Sequence, residues 1–142
     1  MSAILSPEHL VVLALLVPLA GALLIALFGR WPALRDATLL ATSVVLCLAV
    51  AGLLGPVLAG AQPQASFVEV LPGLALALAV EPLGLLFALV ASSLWIVNSV
   101  YSIGYMRANR EPRQTVFHVC FAVALASAIG VAFAENLFTL FL

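Results

Sequence analysis

Arg30-Trp-Pro-Ala-Leu-Arg35 and Arg107-Ala-Asn-Arg-Glu-Pro-Arg113 hold all five basic residues of this 142-residue chain, and each segment interrupts a long apolar sequence. Lysine is absent. A third gap, from about Ala59 to Glu81, carries Glu69 and Glu81 and no cation. Basic and non-basic gaps therefore alternate along the chain, which is the positive-inside pattern of a polytopic membrane protein. With the arginine gaps on the cytoplasmic side, the N-terminus, the middle gap and the stretch around Glu135 fall on the opposite side. The expectation is a multi-pass protein of the inner (plasma) membrane with an extracytoplasmic N-terminus.

Composition leads to the same class. Apolar residues make up 65% of the chain and charged residues 8%, with a mean hydropathy of +1.28, where soluble domains carry roughly a quarter charged residues. A soluble fold would have to enclose four apolar runs of about 20 residues each, more than so short a chain can surround with polar surface. A net charge of −1, with no basic patch beyond the loop arginines, argues against nucleic-acid partners. Those arginines read as topology and lipid-headgroup residues. Cys47 and Cys120 lie inside apolar runs without CxxC spacing or neighbouring ligands, and read as small core residues. No catalytic constellation, metal set or cofactor motif is expected. The cations follow the first apolar run, whereas a signal peptide places them before it.

The predicted fold is an all-α integral membrane architecture with spanning helices at about 7–28, 37–58, 82–105 and 114–134. Ser6, Pro7 and Glu8 form a start signal for the first of these, and Pro18 and Gly21 mark a bend and a close helix contact in its interior. Gly29 to Arg35 reads as a turn, with Asp36 capping the second helix. In the middle gap, Pro72-Gly73 suits the centre of a type II turn. Leu74, Leu76, Leu78 and Val80 alternate with Ala75, Ala77 and Ala79, the period of a strand with one face on protein. An extracytoplasmic β-hairpin over about 66–80 follows; a helix running straight into the third span competes with it. Glu81-Pro82 resets the chain and starts that span.

The third helix gathers Ser92, Asn98, Ser99, Ser102 and Tyr105 within an arc of about 140°. Polar packing against neighbouring helices and a water-lined path both explain this stripe, with Asn98, Ser99 and Ser102 the candidates for the path. The fourth places His118, Ala122, Ala126, Gly130 and Ala134 at four-residue steps, a small-residue packing seam. His118 reads as the one ionisable side chain inside a predicted span, and so as a proton-relay candidate. Lying only about 7.5 Å along the helix from Arg113, it is equally readable as a hydrated interfacial histidine. Glu135 and Asn136 mark the exit from the fourth helix. The apolar run from about 137 begins a fifth, and six residues cannot span a bilayer, so the chain reads as a fragment.

Glu81-Pro-Leu-Gly-Leu-Leu-Phe87, Tyr101-Ser-Ile-Gly-Tyr-Met-Arg107 and Glu135-Asn-Leu-Phe-Thr-Leu-Phe-Leu142 resemble the antiporter-like membrane subunits shared by Mrp-type multisubunit cation/proton antiporters and respiratory complex I. The resemblance covers nearly the whole of residues 1–142 and matches the family's amino-terminal region. It is closer to the D-type antiporter subunit than to the complex I versions. Glu81 stands where the family commonly has aspartate. The resemblance implies Na⁺ or another monovalent cation exchanged for protons, with other membrane subunits of the complex and the lipid bilayer as partners. It also implies a proton-carrying glutamate on a fifth helix paired with lysines on later ones, none of which this chain contains. Three alternatives remain open: a non-redox subunit of a complex I-like NADH-quinone oxidoreductase, a subunit of a related inorganic-carbon uptake complex, and a stand-alone structural membrane protein.

Overall fold

The computed structural model describes residues 6–72 and 74–141. Helix α1 (Pro7–Leu27) begins with proline at its first helical position, where the missing N–H costs nothing. Ser6 occupies the cap position without using its side chain as a cap; its hydroxyl instead lies 2.6 Å from His9 Nδ1. A 3₁₀ turn (Phe28–Arg30) ends the first rod.

The second rod departs from the sequence expectation. Helix α2 (Pro32–Gly52) starts at Pro32, five residues before the predicted boundary, behind an extended Trp31. The reason is the Trp31-Pro32 pair: the residue before proline is forced out of the helical region, and proline is pre-shaped for the first turn. Asp36 is consequently inside the helix and caps nothing. It begins a stripe continued by Leu39, Ser43, Leu46 and Val50 at alternating four- and three-residue steps, all buried. A break at Leu53 leads into the short α3 (Leu54–Leu58).

Strands β1 (Gln64–Leu71) and β2 (Leu74–Ala79) pair antiparallel, from Gln64 opposite Ala79 to Leu71 opposite Leu74. The hairpin reading is correct in kind, and the competing helix is not formed. Gly73, the second of the central pair of the expected type II turn, lies outside the described residues. The free edge of β2 is covered by the chain leaving the fourth long helix: Ala79 N–H donates to the Phe133 carbonyl (2.8 Å), Glu135 N–H to that of Ala77 (3.2 Å), and Leu78 bridges Ala134. A short hairpin with a bare edge is marginal. Here the edge is occupied.

Helix α4 (Pro82–Ala108) extends three residues past its expected end. It closes with Arg110 N–H donating to Arg107 O (3.3 Å) and Glu111 N–H to Met106 O (3.1 Å), the two bonds of a Schellman motif. The motif puts its C′ residue in the left-handed region. That residue is Arg110 (φ 52°) rather than glycine, at a cost of about 1 kcal/mol. Helix α5 (Gln114–Ala132) is followed by α6 (Leu137–Phe141), whose first turn is capped by Asn136 Oδ1 accepting from Thr139 N–H at 2.8 Å.

The long helices form a ring in the order α5, α1, α2, α4. Its core is built from Val11, Ile25, Leu46, Val50, Ala122 and Ile129, with Trp95 the largest fully buried side chain. The α4–α5 side is the loosest and leaves an apolar groove lined by Leu94, Trp95, Asn98, Phe121 and Leu125. At Gly21 an added Cβ would overlap the Thr42 side chain, so the close helix approach expected there is made by α2. Four helices, at 7–30, 32–58, 82–108 and 114–132, are long and apolar enough to cross a bilayer. Because each reverses direction, both arginine-bearing connections lie at one end of the ring and the hairpin at the other.

Candidate functional site

At the arginine end, the early start of α2 carries Arg35 and Asp36 into the interior, each only 5% exposed. An isolated buried charge is prohibitively costly, so every such group must find partners. The Asp36 carboxylate finds two. Its Oδ1 accepts from Arg35 Nε (2.9 Å) and lies 2.8 Å from Arg35 Nη2, and its Oδ2 accepts from Arg107 Nε (2.9 Å) and lies 2.6 Å from Arg107 Nη2 on α4. Each arginine thus engages one oxygen of the same carboxylate in a charge-assisted hydrogen bond.

Arg35 also reaches α5: Nη2 donates to Gln114 Oε1 (2.8 Å) and Nη1, more weakly, to Thr115 Oγ1 (3.4 Å). Gln114 returns the connection to α4 by donating from Nε2 to the Met106 carbonyl (3.1 Å). One carboxylate, two guanidiniums and one amide therefore tie α2, α4 and α5 together where they leave the apolar region. His118 lies one turn further along α5 on the same face as Gln114 and Thr115, buried and within electrostatic reach of Arg35 and Asp36. Its Nε2 has no hydrogen-bond partner, and its ring meets Phe117 edge-on at 5.5 Å.

The cluster corrects two sequence expectations. His118 is not the sole ionisable group inside an apolar rod, since Arg35 and Asp36 share the second one. Arg35 is not a solvated loop arginine. The available signal was the Asp36-Leu39-Ser43-Leu46-Val50 spacing, which places the acid on the buried face once Pro32 is taken as the start.

Ser92, Ser99 and Ser102 are buried on α4, Asn98 is half-buried beside the α4–α5 groove, and Tyr105 is exposed. Their hydrogen bonding also differs from expectation. Ser92 donates to the Leu89 carbonyl and Ser102 to that of Ser99, within their own helix, while Ser99 Oγ has no partner. Of the α5 seam, His118, Ala122 and Ala126 are buried, and an added Cβ at Gly130 would touch Leu15 of α1. Ala134 is not part of it; α5 has ended, and Ala134 pairs with Leu78 of the hairpin. Among the described residues no group of three metal-ligating side chains comes together.

No protein-family model and no curated protein matches the chain.

Proposed function

We propose that this chain is a membrane-embedded scaffold: the amino-terminal helices of an antiporter-like subunit of the Mrp type, working in a multisubunit complex that exchanges monovalent cations for protons. The observation that carries the membrane half of this reading is the pairing of Asp36 with arginines from both basic gaps, which draws the two positive connections to one end of the ring. Four apolar rods with all their cations at one end are the arrangement that the positive-inside rule requires. The hairpin end then faces the extracytoplasmic side of the plasma membrane. The family half rests on the resemblance of Glu81–Phe87, Tyr101–Arg107 and Glu135–Leu142.

The scaffold role follows from where the ionisable groups are. Among the described residues the buried ones are Arg35, Asp36 and His118, all at the arginine end. Serine and asparagine side chains further along α4 can hold water but do not change charge near neutral pH. Proton transfer across the full thickness then falls to groups outside this stretch.

Two experiments test the reading. With Cys47 and Cys120 replaced by alanine, single cysteines at positions 69 and 110 are labelled in intact cells and after permeabilisation. Position 69 reacts with an impermeant maleimide from outside and position 110 only after permeabilisation; labelling of both from one side refutes the topology. Proteoliposomes holding this chain alone show no cation-driven proton flux, and such flux would refute the scaffold role.

A further inference from the structure

Beside the ion-pair cluster the surface opens into a cavity of about 370 Å³ lined by Arg35, Arg107, Arg110, Glu111, Gln114 and Thr115. Its charges are not balanced internally. Asp36 is consumed by Arg35 and Arg107, and among the described residues Arg110 and Glu111 each lack an ion-pair partner within 4.0 Å. Arg35 is buried and turned toward Asp36, Gln114 and Thr115. Arg107 uses only its Nε and Nη2 on Asp36, so Nη1 is free, and its side chain is 53% exposed. Two guanidiniums, those of Arg107 and Arg110, are therefore available to one cavity, with Glu111 as the only opposing charge not already paired.

The flanking surface fixes the depth of this cavity. Trp31, which adjoins the cavity residue Pro32, is exposed and lies 6.4 Å from the Phe28 ring. Tyr105, two residues before Arg107, is exposed and stacked on Tyr101 at 5.8 Å. Exposed tryptophan and tyrosine at the end of an apolar rod are the mark of the headgroup layer. Guanidinium forks bind phosphate through paired N–H donors, and a basic hollow between spanning helices on the cytoplasmic side suits an anionic headgroup.

We propose that this cavity is a binding site for the phosphate of an anionic phospholipid, gripped by Arg107 and Arg110. The proposal rests on the membrane placement given above. Asp36 has a second role in it: by holding Arg107 from the inside, it leaves that side chain aimed at the lipid without a rotamer search. Glu111 weakens the site and sets its selectivity for lipids bearing an additional donor beside the phosphate.

The test titrates fluorescent phosphatidylglycerol and phosphatidylcholine into the full chain in neutral detergent, comparing wild type with Arg110→Gly and Glu111→Gln. Arg110→Gly suits the purpose because glycine favours the left-handed backbone at that position, so helix α4 keeps its ending while the guanidinium is removed. Wild type prefers phosphatidylglycerol. Arg110→Gly weakens that binding about fivefold, the equivalent of roughly 1 kcal/mol per arginine, while Glu111→Gln strengthens it. Inorganic phosphate at matched concentration does not compete. Equal binding of the two lipids, no change in Arg110→Gly, or full competition by inorganic phosphate overturns the proposal. Labelling at positions 69 and 110 is read separately, so a failed lipid site and a failed topology are distinguishable.

Discussion

Replacing Asp36 with asparagine should damage this protein more than any other single change at the arginine end. The carboxylate lies within 2.6 to 2.9 Å of four guanidinium nitrogens, two on each arginine, and accepts a hydrogen bond from each Nε. Asparagine keeps the shape but removes the charge and turns one acceptor into an N–H₂ that faces a guanidinium. The two arginines then differ in what they lose. Arg107 is 53% exposed at its side chain and can take up water, so its share is limited to about 1 kcal/mol or less after solvent screening. Arg35, only 6% exposed at its side chain, is left as a buried cation with just Gln114 and Thr115 as neutral partners. Removing one partner of a buried pair costs about 3–5 kcal/mol. The expected ranking is Asp36→Asn at roughly 3–5 kcal/mol against Arg107→Gln at about 1 or less. The double variant Arg35→Met/Asp36→Leu should recover most of the loss, because it removes the stranded charge together with its partner. Reversible unfolding in mixed micelles, followed by helical circular dichroism, measures all three. If Arg107→Gln costs as much as Asp36→Asn, or if the double variant is the least stable, the burial argument is wrong.

Four further outcomes are expected. Gly84→Ala places a Cβ against the Ala132 backbone carbonyl, which cannot move aside as a side chain can, and should cost about 1–3 kcal/mol. Gly104→Ala, with nothing within 4 Å, should instead stabilise α4 by about 0.5–1 kcal/mol in the same assay. Ser99→Ala removes a buried hydroxyl with no partner and should be neutral or stabilising by up to about 1 kcal/mol; a clear loss of stability would mean that this hydroxyl has a hydrogen-bond partner. Asn136→Ala loses both the α6 cap and the 2.8 Å bond from Nδ2 to the Ala75 carbonyl, and should cost about 1–2 kcal/mol locally. Faster amide exchange confined to residues 75–79 and 137–141 would report it.

The four rods and the hairpin were legible in the sequence because each carries its own local signal: apolar length for the rods, and a Pro-Gly pair between period-two flanks for the hairpin. The cluster was not, for a reason visible at Trp31-Pro32 and Asp36. Two start signals compete within five residues. An acid favours a cap, whereas proline favours the first turn, and proline prevails because it restricts the backbone itself and not merely a side chain. Choosing the later signal leaves Arg35 in a loop and hides the interior acid. The cover on β2 was illegible for a different reason. Ala134 fits the α5 seam by spacing, and only the three-dimensional path shows that the helix has ended and that the segment pairs with a strand far back in the chain. Ser92 and Ser102 show a third kind of limit, since helical spacing predicts a shared face but not whether a hydroxyl bonds across helices or back onto its own turn.

The segment that covers β2 also imposes an order on synthesis. Asn136 holds a carbonyl 61 residues behind it, and at about 5–20 residues per second a ribosome needs roughly 3–12 s to bridge that interval. For those seconds Leu74–Ala79 has emerged with an open backbone edge, able to recruit another nascent strand. The fourth long helix thus serves as a timer as well as a wall: the hairpin becomes safe from mispairing only when the returning chain arrives.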